Sequence, residues 1–369
     1  MQFSQVYGLE SIKGKLTTSV KNGRLPHAQL FIGPQGSGKM GLAQALVQYL
    51  YCTDRSAVDS CGICSSCRKI SSQSHPDVHF TYPVAASKEV STQYIEKWRE
   101  INAKSIYFNT TDWMQTISKD ENKTPNITRE ETRSILSRLS LKPFEGAAKT
   151  LIIWMPEYLQ KESNALLKLI EEPPQKTYFI LIAENAQHLL PTITSRTQLL
   201  KIPAYTDQET RLFLQEKYGL EQSKLNQITR LSEGNLRLAT QLIENANHEF
   251  GALFRDWMLA CYKNDLKGVS TITDKLHALG KNQTQLFLSH GLATIRECML
   301  LQTIDDYSIN AEENQQDFIK KLSKTLNAML IEKIYNQINE VIYHIQRNAN
   351  PKIALFNLSI QIRYCFIRP

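Results

Sequence analysis

Short apolar runs alternate with helically spaced segments through the N-terminal half of the chain. Residues 28–32 (AQLFI) form a continuous apolar run that ends in a Gly-rich turn. Residues 40–51 follow with Leu42, Ala45, Leu46 and Tyr49 at helical spacing. Further apolar runs stand at 150–155 (TLIIWM), 178–183 (YFILIA) and 198–202 (QLLKI), and a helical pattern at 161–171 carries Leu166, Leu167 and Ile170. Apolar strands without polar alternation, separated by helices, predict an α/β fold whose parallel sheet is covered on both faces. Sheets of this kind bind ligands beyond the carboxyl ends of their strands.

Residues 80–126 break the rhythm and read as an insertion between sheet elements. Within it KEVSTQYIEKWREINAKS has amphipathic helical spacing, and SKDENKTPN reads as a solvated loop. After Pro203 the strands stop. Residues 207–218, 221–231 and 236–245 form three helical patterns, broken near Gly219 and at Glu233-Gly234. From 249 onward the pattern is helical throughout, with amphipathic segments at 317–328 and 331–345. Three domains are therefore expected, at 1–203, 204–248 and 249–369.

Composition narrows the class. A chain of 369 residues suits two or three domains, and a hydrophobic fraction of 42% excludes disorder along the whole length. The balance of 43 Lys+Arg against 36 Asp+Glu gives a net charge of +7, which permits a nucleic-acid partner without requiring one. No apolar run approaches the ~18 residues of a membrane-spanning helix. The first residues, MQFSQVYGLES, lack the pattern of a signal peptide, so a cytoplasmic protein without membrane contact is expected.

The turn after the first strand, Gly33-Pro34-Gln35-Gly36-Ser37-Gly38-Lys39, fits G-x-x-x-x-G-K between a strand and a helix. Gly33, Gly36, Ser37 and Gly38 would turn backbone amides around phosphates, and Lys39 would reach the terminal phosphates of ATP or ADP. The next position calls for a hydroxyl to hold Mg²⁺, but Met40 offers only a thioether, a poor ligand for a hard cation. A neighbouring strand should end in a carboxylate pair that positions metal and water. Trp154 and Met155 stand there, with Glu157 just beyond a proline. The Mg²⁺ site is therefore expected to be defective. The competing reading is weak hydrolysis supported by Glu157.

Four of seven cysteines, Cys52, Cys61, Cys64 and Cys67, fall in C-x8-C-x2-C-x2-C. In a reducing compartment this spacing reads as metal ligation, and four thiolates close a tetrahedron with no open position. Structural zinc is the default; an iron–sulfur cluster or free thiols are the alternatives. Few basic residues flank the cluster and Asp54 and Asp59 oppose them, which favours a stabilising module over a DNA-reading finger. Cys261, Cys298 and Cys365 read as core residues.

These motifs, together with Phe3–Gly8, Leu25-Pro26-His27-Ala28, Ser74-His75-Pro76-Asp77 and Ser140–Gly146, resemble the bacterial clamp loader ATPase family of AAA+ proteins. Asn164-Ala165-Leu166-Leu167-Lys168 with Glu171-Glu172-Pro173-Pro174 is the most specific match, and Thr194-Ser195-Arg196-Thr197 is similar to the family's Ser-Arg-Cys motif. The resemblance is dense over 1–240 and implies an AAA+ domain with a zinc module at 52–67, a three-helix lid at 204–248 and an all-α collar at 249–369. Met40 and Trp154-Met155 imply the delta-prime subunit, in which the nucleotide machinery is eroded and the Ser-Arg motif persists. Ser195 and Arg196 would then serve a neighbour's ATP, with Arg196 as an arginine finger in trans. Arg237 resembles the nucleotide-reporting arginine of the lid, and Asn185 lies near the γ-phosphate-sensing position.

The implied role is a non-hydrolysing component of the DNA polymerase III holoenzyme that assists ATP-dependent loading of a sliding clamp onto primer-template DNA. The implied partners are motor (gamma/tau) subunits and the delta subunit. Two competitors remain: an ATP-hydrolysing motor subunit, and a zinc-containing nucleic-acid-binding protein with a vestigial P-loop. Steep salt dependence of DNA binding by the isolated chain would mark the last.

Overall fold

The structure, a computed structural model, describes every residue except 119, 121, 122, 160–162, 245–249, 308, 310–312, 347, 348, 368 and 369. For 163–165, 223, 313, 314 and 346 it describes the backbone alone, so the side chains of Asn164 and Ala165 lie outside the described set. The chain forms two compact units. One comprises Met1–Phe213 with Gly234–Arg237, the other Leu214–Glu233 with Leu238–Pro369.

The first unit is built on five strands: β1 (Ala28–Ile32), β2 (Val78–Thr81), β3 (Lys149–Trp154), β4 (Thr177–Ala183) and β5 (Gln198–Lys201). They pair in the order β2-β3-β4-β1-β5, every pair parallel. Ile153, Leu181 and Leu30 stand in one row across β3, β4 and β1. The helices of this unit are α1 (Glu10–Lys21), α2 (Lys39–Tyr51), α3 (Ser65–Ser71), α4 (Ile95–Lys104), α5 (Thr110–Ile117), α6 (Arg129–Ser140), α7 (Ser163–Glu171) and α8 (Pro191–Thr194). Leu30, Leu151, Ile153, Phe179 and Leu181 share a buried cluster with Ile135 and Leu139 of α6 and Leu166 and Ile170 of α7. Phe31, Ile152, Ile180 and Ile182 alternate with them and are buried too, and α2 packs on β1, β3 and β4. Burial of both faces explains why these strands read as unbroken apolar runs.

Three features depart from the sequence expectation. Strand β2 was not anticipated, because VHFT is short and carries a histidine between its apolar positions. The inserted segment therefore begins after Thr81 rather than at Phe80. Helix α5 is an eight-residue element fixed by a reciprocal cap between Asn109 and Asp112, too short to show periodicity. Strand β3 ends at Trp154 because Met155 adopts a left-handed backbone with φ of +57°. Of the expected solvated loop, residues 119, 121 and 122 lie outside the described residues, whereas Asn126 pairs antiparallel with Val84.

An aromatic cluster anchors the insertion to the sheet. Trp98 of α4 stacks on Tyr82 at 4.0 Å and meets Trp113 at 5.2 Å, Phe108 at 5.5 Å and Trp154 at 5.4 Å between ring centres. Trp98 and Trp113 are fully buried. Trp98→Ala is expected to cost about 3–5 kcal/mol of stability, read by urea unfolding, because a large cavity would open where rings now pack.

Two stretches that the sequence singled out meet just before β2 and β3 begin. Asp77 accepts hydrogen bonds from the amides of Phe144 (2.5 Å), Glu145 (2.8 Å) and Gly146 (2.6 Å). Burial opposes its charge, but these amides prevail and hold the carboxyl below its usual range.

The chain continues through α9 (Asp207–Tyr218), α10 (Gln222–Ser232) and α11 (Leu236–Glu244). Helices α12 (Phe250–Lys263), α13 (Leu266–Leu279), α14 (Lys281–Thr303), α15 (Glu313–Thr325), α16 (Ala328–Gln346) and α17 (Pro351–Ile367) follow. The described residues of the second unit form helices and their connecting turns, with no strand among them. Phe254, Trp257, Phe287, Ile334, Ile338, Leu355 and Ile362 belong to its core. The Trp257 indole donates to Ser359 Oγ at 2.8 Å. The expected helix at 317–328 is interrupted, because Asn327 caps α16 by accepting from the Leu330 amide at 2.9 Å. Among the described residues no helix is long and apolar enough to cross a membrane.

Candidate nucleotide site and metal centre

The Gly-rich turn joins β1 to α2. Gly36 and Gly38 have φ of +68° and +77°, a region that side chains disfavour, and Gly38 caps α2. At Gly36 space matters as well: a Cβ there would lie 2.0 Å from Asn235 Oδ1 and 2.8 Å from the Arg237 amide nitrogen. Ser37 and Met40 are buried. Lys39 Nζ folds onto its own loop and donates to the carbonyls of Gly33 (2.6 Å) and Pro34 (2.5 Å). Burial lowers the Lys39 ammonium to about 8, opposed by the carboxylates of Glu184 and Glu157.

The acid positions of the neighbouring strand are filled by packing. Trp154 and Met155 are buried, and the Trp154 ring also meets Phe108 at 5.0 Å. Glu157 turns elsewhere: its Oε1 accepts from the amides of Glu184 (2.6 Å) and Asn185 (3.3 Å). The Asn185 side chain accepts from the Gln187 amide, so it caps its own turn. Glycine turns and Lys39 suit phosphates, whereas Met40 and Trp154 offer no oxygen to a hard cation such as Mg²⁺.

Burial raises the Glu157 carboxyl from 4.5 to about 7. The folded chain thus keeps a proton that the unfolded chain releases between these values. This contribution to stability is full below the unfolded value and is lost as pH rises through 7. Glu157→Gln, which keeps an acceptor for both amides, is expected to gain about 3 kcal/mol on wild type between pH 4.5 and pH 8. Urea unfolding across that range measures it.

Arg237 sits at the start of α11 beside the loop. Its Nε and Nη2 donate to Asp112 Oδ2 (2.7 Å) and Oδ1 (2.6 Å), a two-bond pair with a carboxylate of the insertion. Ile106 meets Gly41, where a Cβ would lie 2.5 Å from Ile106 Cδ1. Tyr107 packs edge-on against Tyr205 and Phe213. Asp112 and Ile106 were not legible as neighbours of the loop from the sequence. The only available signal was a density of aromatic residues unusual for a polar insertion.

Arg196 lies between α8 and β5, with a third of its side chain exposed. It pairs with Glu171 and donates to the Thr192 carbonyl (3.0 Å) and Ser195 Oγ (3.2 Å). The Ser-Arg and Glu-Glu-Pro-Pro stretches are thereby joined.

The four cysteines converge. Cys52 ends α2, Cys61 and Cys64 lie on the following loop, and Cys67 is in α3. Their sulfurs all lie within 4.8 Å of one another, with Cys61 and Cys67 at 3.9 Å. The amides of Cys61 and Cys64 point at the sulfurs of Cys52 (3.2 Å) and Cys61 (3.4 Å). A tetrahedral ion with metal–sulfur bonds of about 2.3 Å spaces its thiolates at about 3.8 Å, so the donor set fits a metal ion. The module also holds the start of the chain, since Asp59 accepts from the amides of Phe3 and Ser4, both at 2.9 Å.

Comparison with known proteins follows the same residues. The chain matches the DNA polymerase III, delta subunit family over residues 8–206. It is 28% identical to the DNA polymerase III subunit tau of Escherichia coli K12 over 250 residues, 66% of this chain and 33% of that subunit. It is also 28% identical to the delta' subunit of the same organism over 236 residues, 63% of this chain and 59% of that one. A solved gamma subunit-related protein of Thermotoga maritima overlays 95% of this chain and 99% of its own, at 16% identity and a TM-score of 0.40. The chain thus spans about a third of the tau subunit. With over half its length matched, the chain belongs to the DNA polymerase III, delta subunit family, as a delta-prime-like member of the clamp loader subunits.

Proposed function

We propose that this chain is the non-hydrolysing, delta-prime-type subunit of a cytoplasmic clamp loader. It would stand beside motor (gamma/tau) and delta subunits and help place a sliding clamp on primer-template DNA. The observation that carries this reading is the buried Trp154-Met155 pair where the catalytic carboxylates would stand, combined with Met40 in the metal-holding position. Arg196 and Ser195 would face the ATP of a neighbouring motor subunit, residues 204–248 would act as a helical lid, and 249–369 as the collar. The Cys52, Cys61, Cys64 and Cys67 site would hold structural zinc.

Similarity to tau favours a second reading, an ATP-hydrolysing motor subunit. ATP hydrolysis by the purified chain separates the two. The proposed reading expects none above background, whereas a rate abolished by Lys39→Ala would establish the motor. The Arg196 role is tested in a reconstituted loader by comparing wild type with Arg196→Ala.

A further inference from the structure

The inserted segment packs against residues that border the Gly-rich loop. Three contacts carry this. Asp112 engages Arg237 through two short hydrogen bonds, and the two side chains are only 10% and 18% exposed. A planar guanidinium binds carboxylate and phosphate by the same two-bond geometry, so Asp112 uses the donors that a phosphate beside Gly36 would seek. Ile106 lies against Gly41 in the first turn of α2, and the buried Tyr107 fixes that turn against Tyr205 and Phe213. Asp112 is itself held, since its Oδ2 also accepts from the Asn109 amide at 3.0 Å and its amide donates to Asn109 Oδ1 at 2.9 Å.

We propose that the insertion is an internal stopper of the phosphate loop: Asp112 neutralises Arg237 and Ile106 covers Gly41, so a nucleoside triphosphate gains the loop only when the 105–112 turn moves away. An incoming polyphosphate meets a fixed carboxylate rather than a free cation. Lys39, bonded to its own loop carbonyls, holds the loop closed without an anion. This inference concerns the chain alone and stands apart from the role of Arg196.

The test is titration of the full chain with a fluorescent ATP analogue, with and without Mg²⁺. Asp112→Asn keeps an oxygen for the Asn109 cap but removes the charge. It is expected to bind at least about tenfold more tightly than wild type, and the gain should vanish in Asp112→Asn with Lys39→Ala. Ile106→Ala leaves cap and ion pair intact and should also gain affinity, so it decides the matter if Asp112→Asn does not fold. Equal binding by wild type and both variants, whether tight or undetectable, would overturn the stopper. So would a gain that survives loss of Lys39.

Discussion

Arg196→Ala is expected to lower ATP hydrolysis at the neighbouring nucleotide site of a reconstituted loader by about 10³-fold or more, with assembly unchanged. An arginine finger contributes ~10³–10⁵ in rate because a planar cation meets charge that develops on the γ-phosphate. In the free chain Arg196 pairs with Glu171, and both side chains are partly exposed. Such pairs are worth about 0–1 kcal/mol, so exchanging Glu171 for a phosphate costs little. Glu171→Gln should accordingly leave the rate near wild type. Arg196→Lys should not restore it, because an ammonium lacks the two-bond fork that Ser195 and Thr192 help to orient. Single-turnover hydrolysis with clamp and primed DNA measures all three. An unchanged rate in Arg196→Ala would leave the chain a structural member of its assembly.

Loss of a metal from the four-cysteine site is expected to be the second large effect. Structural zinc sites carry apparent binding free energies on the order of 10 kcal/mol, and much of that is folding free energy. Here the loop between α2 and α3 has little apolar core of its own: Val58 and Ile63 are exposed. Loss of the ion would free this loop. Through Asp59 it would also release the amides of Phe3 and Ser4, and through Ser60 the Gln2 side chain, which donates to its carbonyl at 2.7 Å. Cys64→Ser is therefore expected to lose bound metal and to lower the unfolding temperature of the first unit by many degrees. Elemental analysis should give one zinc per chain. Visible absorption typical of iron and sulfide would instead identify a cluster, and no metal at all would leave four free thiols.

The central strands β1, β3 and β4 were legible because they are buried on both faces and therefore unbroken in sequence, whereas β5 reads as an apolar run although it is largely exposed. Strand β2 was not, since four residues at the sheet edge with a central His79 carry too little pattern. The glycine turn and the cysteine spacing were legible because local geometry dictates both. The loss of acids at 154–155 could be read, but not its counterpart in space, the ring of Trp98. Asp112 and Arg237 are 125 positions apart, and a charge pair of that separation leaves no local trace. The break near Asn327 was expected slightly late, at 329–330, because apolar spacing runs on across it; the cap marks where the next helix starts.

The aromatic cluster of the insertion has an optical consequence. The chain has four tryptophans, and three of them, Trp98, Trp113 and Trp154, lie in one rigid group while Trp257 stands in the second unit. Asymmetric, fixed packing of rings is what near-ultraviolet circular dichroism detects. The molecule thus carries its own spectroscopic label, whose signal is weighted toward the seating of residues 82–117 on the sheet. Withdrawal of that segment can be followed in unlabelled protein, separately from events in the helical unit.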